Sequence, residues 1–403
     1  MGRAEAARRA VGWVFAANGF GFASWASRLP AVRDAAQLTP AQLGMVLLAL
    51  SAGAVAALPV SGAVVHRVGT RRTVAAGALL AGAGLAGAGA APTIPVLLVA
   101  LFCYGVASAT WDVAMNVEGA AVERRLGRPL MPRFHAGFSL GTVAGAATGA
   151  AAAGADLPLR GHLLFVAALV VLIPGMATRS FLPGPPRDGV GERRKPSGAL
   201  VAWRERRTLL IGLLVFGAAF CEGTANDWLA VAVVDGYHVE HAAGAAAFGV
   251  FVAAMTAGRL GGPAVLTRFG RVRVLVAGAG LVAAGAGLVV AGAAVGRGDG
   301  PGQVLAVILA VAGAMAWGVG ASLGFPVGMS AAADEADRAA VRVGVVSSLG
   351  YTAFLAGPPL LGLLGERIGT LPAQLGVLVA ATVMVLAAPA ARPVTARPVL
   401  RVG

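Results

Sequence analysis

The sequence predicts an all-α membrane protein with twelve transmembrane helices in two pseudo-symmetric six-helix halves. Three observations predict it. Of 403 residues, 58% are apolar and only 12% charged, with a mean hydropathy of +0.79; a soluble chain carries about 25% charged residues. Apolar runs of about 20 residues, the length that crosses a bilayer, recur from end to end. The basic residues sit mainly in short segments between those runs, and alternate segments are basic.

Taken in order, the predicted spans are 11–29, 41–65, 73–91, 94–118, 133–154, 159–181, 208–234, 243–266, 273–295, 302–329, 343–365 and 371–389. The first apolar run lacks a small-residue cleavage site and reads as a retained helix rather than a signal peptide. With both termini in the cytoplasm, 27 of the 32 Lys and Arg residues fall on the cytoplasmic side, which sets the orientation. The net charge of +14 is therefore a membrane-topology signal rather than a nucleic-acid one. Gly (59 residues) and Ala recur throughout, as expected where helices approach closely in lipid. Cys103 and Cys221 lie within apolar runs and read as small packing residues.

A basic segment, 182–207, divides the chain into an N-terminal half (1–181) and a C-terminal half (208–403) and reads as a cytoplasmic linker. The halves repeat. Arg67-Val-Gly69-Thr-Arg71-Arg72 after the second span matches Arg268-Phe-Gly270-Arg-Val-Arg273 after the eighth. Arg133-x5-Ser139-Leu-Gly141 matches Arg342-x5-Ser348-Leu-Gly350, and Trp25 matches Trp228. Two parallel halves enclosing a site is a secondary-transporter plan.

Asp112 is the leading functional candidate, because a carboxylate at membrane depth is costly and faces a protein interior or a water-filled cavity. Asn116, four residues on, shares its helix face. Trp111 reads either as packing or as a substrate-stacking group. Glu222 and Asn226 share a face of the seventh span. Glu222 is read near mid-membrane, opposing Asp112 across a cavity as a second coupling group or substrate ligand. Asp227, nearer the outer surface, reads as an outer gate or cap. Asn18 is a candidate cavity hydrogen-bonding group. Arg71, Arg72, Glu123, Arg124 and Arg133 read as cytoplasmic contacts that open and close. His135 reads as bonded to Glu118 or Glu123, or as a pH-responsive group. Arg28 and Arg33 read as snorkelling or paired with Asp34. Gly357-Pro358-Pro359 suggests a kink in the eleventh span. His238 and His241 lack the further ligands a metal site needs, and no phosphate-binding loop of the G-x4-G-K-[ST] type is present. No metal or cofactor is expected.

The loop motif Gly62-x3-His66-Arg67-x-Gly69-x-Arg71-Arg72, with its degenerate copy around Arg268 and Gly270, resembles the major facilitator superfamily. That resemblance implies a cytoplasmic gate at these residues, although the acid of the family pattern is replaced by His66 and Thr267. Segments 25–45, 133–141 and 222–228 are similar to the fucose-permease-like branch and its uncharacterised bacterial inner-membrane relatives. The resemblance implies a proton-carrying role for Asp112, four residues before Asn116; the acid those permeases carry late in helix 1 is absent from Ser24-Trp25-Ala26-Ser27. The expectation is a monomeric, proton-coupled transporter of a small, sugar-like solute in the bacterial cytoplasmic membrane, in contact with lipid and with no nucleic-acid partner. An efflux antiporter for amphipathic compounds is the alternative, and a non-transporting sensor or membrane-embedded enzyme a remote one.

Overall fold

The computed structural model describes residues 2–91, 93–128, 130–183, 199–296, 301–335 and 338–393. Among these residues, twelve helices carry the fold: α1 (Gly2–Ala26), α2 (Pro40–Val68), α3 (Thr70–Ala90), α4 (Ile94–Leu126), α5 (Met131–Gly154), α6 (Leu159–Ala177), α7 (Arg206–Tyr237), α8 (His241–Phe269), α9 (Arg271–Val295), α10 (Pro301–Ala321), α11 (Ala339–Ile368) and α12 (Val377–Ala387). After a turn, α10 continues as the short helix Gly324–Ala332, and Thr370–Ala373 leads into α12. No strand occurs among the described residues.

Ten of these helical spans are long and apolar enough to cross a membrane. The other two, α1 and α5, begin on charged turns containing Arg3, Glu5, Arg8 and Arg9, and Arg133 and His135. Most of the predicted linker, residues 184–198, lies outside the described residues.

Helix ends overrun the apolar runs where the flanking residues favour helix. α4 was expected to end near 118 but continues through Val-Glu-Arg-Arg-Leu to Leu126. There Gly127 adopts the left-handed conformation (φ +64°) and its N–H bonds to the Glu123 carbonyl. Gly69 and Gly270 (φ +89° and +76°) each make a one-residue turn, α2 to α3 and α8 to α9. These turns explain why the repeated loop motif carries Gly at equivalent positions.

Packing within each half runs along small-residue seams. At Gly105 on α4 an added Cβ would lie 2.9 Å from the backbone N of Ala54 on α2, and at Gly145 on α5 one would lie 2.9 Å from the backbone N of Ser24 on α1. Trp111 on α4 sits on Gly77 of α3, with its Cβ 3.1 Å from the position a Cβ would take there. Trp317 on α10 sits on Gly285 of α9 in the same way, at 2.9 Å. This matched pair extends the internal repeat that Trp25 and Trp228 suggested; all four indoles are buried.

The halves meet where α2 packs on α11 and α5 on α8. α11 passes through Pro358 and Pro359 as one helix. There Gly44 of α2 abuts the proline pair, an added Cβ lying 2.6 Å from the Pro358 carbonyl oxygen. One end of the molecule carries Arg67, Arg71, Arg72, Arg124, Arg125, Arg206, Arg268, Arg271 and Arg273; it is called the basic end here, and the other the far end.

Candidate functional site

Asp112 lies midway along α4. Three faces of that helix are occupied: Gly105 and Thr110 meet α2, Trp111 and Tyr104 meet α3, and Ser108 and Met115 meet Asn18 of α1. Asp112 points out of the remaining sector, and its side chain is exposed. Tyr351 on α11, in the opposite half, is within electrostatic range, so this sector opens on the space between the halves. Among the described residues the carboxylate has one side-chain partner. Asn116 Nδ2 donates to the Asp112 backbone oxygen at 2.9 Å and to Oδ1 at 3.3 Å. That is the one-face arrangement which four-residue spacing predicts.

Two of the expected cavity residues are turned elsewhere. Asn18 is buried, donating to the Met115 sulfur at 3.8 Å and accepting from Ser108 Oγ at 3.4 Å; it binds α1 to α4 rather than lining open space. Trp111 is 1% exposed. It lies about 100° round the helix from Asp112, and the Gly77 contact takes its ring into the α3–α4 seam. Its indole is buried in that seam, on a different side of the helix from the Asp112 carboxylate.

In the C-terminal half, Glu222 of α7 is ion-paired: Arg259 Nη2 of α8 donates to its Oε1 at 2.9 Å, and Arg259 Nε reaches the Ser322 carbonyl at 3.4 Å. Glu222 is thus half of a charge-neutral pair rather than a lone carboxylate like Asp112. Sequence reasoning missed Arg259 by counting it with the basic segment after α8. It stands ten residues before the end of that helix, roughly 15 Å in, and this depth was the available signal. Asn226 is buried, and its Oδ1 has no partner among the described residues. Asp227 is half-buried and makes no hydrogen bond or ion pair among the described residues. It is turned away from Asn226, as its place in the sequence requires.

The expected contacts at the basic end are not assembled between the halves. Glu123 accepts from the backbone N–H groups of Leu130 (2.5 Å) and Met131 (2.8 Å), capping the start of α5. Glu118 is taken up by Thr70 Oγ1 (2.6 Å) and the Leu182 N–H (2.7 Å). Neither acid therefore reaches His135, which packs edge-on against Phe15 with ring centroids 5.2 Å apart. No ion pair is made by Arg67, Arg71, Arg72, Arg124, Arg133 or Arg268 among the described residues. Arg268 lies over the Phe269 ring, and Thr267 bonds back to its own helix. Within the C-terminal half this end is tied by a separate knot. Asp334 binds Arg207 (2.9 Å) and Arg271 (2.8 Å), and Glu205 binds Arg342 (2.6 Å) and Arg338 (2.8 Å). The Arg342 hydrogen bond to Glu205 holds that carboxyl below the usual glutamate value. Arg342 does the same to Glu335.

Every polar contact between the halves, among the described residues, is at the far end. Arg33 bridges its neighbour Asp34 (2.8 Å) and Asp235 at the end of α7. Asp235 also accepts from Thr370 Oγ1 at 2.7 Å. His241 Nε2 lies 2.8 Å from Asp34 Oδ2, and Glu366 accepts from the Ala41 N–H at 3.1 Å. Burial works to raise the Asp34 pKa, but the hydrogen bonds from Arg33 and His241 outweigh it and leave the carboxyl below its usual value. The expected Arg33–Asp34 pair is present. Arg28 neither snorkels nor joins it; it is 4% exposed and donates through Nη2 to the Leu157 carbonyl at 2.8 Å.

The major facilitator superfamily model matches residues 11–358. An uncharacterized transporter, y4wD, of Sinorhizobium fredii is 33% identical over 361 residues, covering 89% of this chain and 91% of its own. An uncharacterized MFS-type transporter of Yersinia pestis is 29% identical over 94% of this chain and 93% of its own. Membrane protein MosC of Rhizobium meliloti is 29% identical over 89% and 84%. Among solved structures, the nucleoside transporter NupG superposes with a TM-score of 0.74 at 17% identity, over 96% of this chain and 98% of that one. A bacterial homologue of the human lysosomal transporter Spinster, in an inward-facing and unoccupied conformation, superposes with a TM-score of 0.70 at 14% identity, over 96% and 97%. With the family model spanning most of the chain and the twelve-helix fold shared, the protein belongs to the major facilitator superfamily of membrane transporters.

Proposed function

We propose that the chain is a secondary active transporter that carries a small polar solute through the space between its halves, with Asp112 exchanging the coupling proton. The observation that carries this reading is the position of Asp112: a carboxylate in an apolar helix, paired only with Asn116, open to the space between the halves and facing Tyr351. A group so placed is costly unless it has work to do there, and one free of a cationic partner is able to take up and release a proton. Glu222, neutralised by Arg259, is a solute ligand on this reading rather than a second proton carrier, and Asp227 lines the far-end closure. On this reading the basic end is the cytoplasmic end, and the contacts of Arg33–Asp235 and its neighbours hold the halves together at the outer end. Rocking of the halves would break the far-end contacts and bring the helix ends of the basic end together.

The test is proton flux in liposomes that contain an internal pH dye, on addition of sugars, nucleosides, organic acids and amphipathic cations. Nucleosides are in the panel because the fold is shared with a nucleoside transporter. A solute-dependent pH change in the wild type, lost in Asp112→Asn, is the expected result. Undiminished uphill transport by Asp112→Asn would refute the proton role. A response confined to amphipathic cations would favour efflux.

A further inference from the structure

The ion pair between Glu222 and Arg259 leaves one donor and one acceptor unused, on two side chains that meet at 2.9 Å. Arg259 spends Nη2 on Glu222 and Nε on the Ser322 carbonyl, so Nη1 has no partner among the described residues. Glu222 spends Oε1 and keeps Oε2. Neither free atom is among the sealed, partnerless ones, which include Asn226 Oδ1 and Trp228 Nε1. The Arg259 and Glu222 side chains are 31% and 16% exposed, so the pair is open to approach. The direction of approach follows from the neighbours of α8. Gly249 meets Ala146 of α5, and Gly258 and Gly262 meet Ser322 and Leu323 beyond α10. Arg259 points between these two contacts, toward α7 and the space between the halves. His135, on α5 of the opposite half, is within its electrostatic range.

We infer that the Glu222–Arg259 pair is a binding site for two adjacent hydroxyl groups of an uncharged solute. One hydroxyl donates to Glu222 Oε2, and its neighbour accepts from Arg259 Nη1. A monodentate ion pair offers this combination of one unpartnered acceptor and one unpartnered donor on two paired side chains. A bidentate pair would leave neither carboxylate oxygen unpartnered. The same pair selects against charge: an anionic group meets the Glu222 carboxylate, and an ammonium group meets the guanidinium. In a space walled by apolar helices such mismatches are costly. The inference rests on reading the space between the halves as a solute site, and it names the part of the solute that the C-terminal half recognises.

Ligand-observed NMR with the full chain in lipid nanodiscs tests it, without a proton gradient. The probes are methyl β-D-ribofuranoside, its 2-deoxy and 3-deoxy analogues, and ribonate. On the wild-type protein the parent glycoside binds, each deoxy analogue binds about tenfold more weakly or worse, as loss of a hydrogen bond to a charged group predicts, and ribonate does not compete. Arg259→Lys keeps the charge but loses the planar fork, and its discrimination between parent and deoxy forms shrinks. No diol-dependent binding by the wild type, preferential binding of ribonate, or full affinity in the Glu222→Gln/Arg259→Gln double variant would each overturn the inference. The wild-type series needs no variant to fold. Diol-dependent binding without solute-driven proton flux would leave this site standing and remove proton coupling instead.

Discussion

Asp235→Asn tests the far-end closure. The substitution keeps the shape of the side chain and its contact with Thr370, and removes the charge that Arg33 engages across the halves. The Arg33 side chain is 15% exposed and that of Asp235 31%, so the pair is neither sealed from water nor fully screened. A charged contact of that kind contributes roughly 1–2 kcal/mol. The loss is expected at the lower end, because Arg33 keeps Asp34. A change of about 1–2 kcal/mol moves a two-state equilibrium by roughly 5- to 30-fold, enough to reveal a minor state that is open at the far end. Spin labels at Ala155 and Arg367, exposed on opposite halves at that end, report the separation by electron–electron double resonance, with Cys103 and Cys221 replaced. The long-distance population should rise in Asp235→Asn. The double variant Arg33→Gln/Asp235→Asn should show less than the sum of the two single effects, because both single variants lose the same Arg33–Asp235 contact. A distance distribution indistinguishable from the parent's, or strictly additive variants, would refute the closing role of the pair.

The remaining expectations concern stability. Gly105→Ala forces a Cβ against the α2 backbone, 2.9 Å from Ala54 N, and should cost roughly 1–3 kcal/mol; Gly287→Ala, with nothing within 4 Å of the new Cβ, should be near neutral or slightly stabilising. Equal melting temperatures for the two variants would contradict the seam. Glu205→Gln should lower thermal stability at neutral pH. Because the folded pKa of Glu205 lies below the ordinary 4.5, its contribution is present above that value and lost as pH falls through the folded pKa. The gap between variant and parent should therefore close in acid, which a melting series across pH would show.

The fold was legible because lipid demands long apolar helices and because the chain repeats itself. Asp112 and Asn116 were legible as a pair because four-residue spacing fixes one helix face. What a single helix cannot reveal is the rotation of that helix within the bundle. Asn18 and Trp111 look equally suited to a cavity until Met115 and Gly77 are placed against them. Competition between partners was also invisible. Glu118 and Glu123 stood within reach of His135 along the chain, but the orphan N–H groups at the start of α5 and after α6 claimed both. Arg259 was hidden because counting charges by loop assigns an arginine to the nearest basic segment. Pairing with Glu222 becomes visible only when α7 and α8 are brought side by side.

The one-residue turns at Gly69 and Gly270 leave no slack between the helices they join. α2 and α8 lie where the halves meet, while α3 and α9 present Leu79, Leu80, Val276 and Leu281 on the outside. A helix at the interface therefore cannot swing without carrying its outer partner through the surrounding acyl chains. Each turnover then includes work against the bilayer itself, so the rate of cycling should follow the order and viscosity of the lipid even where the solute site is untouched.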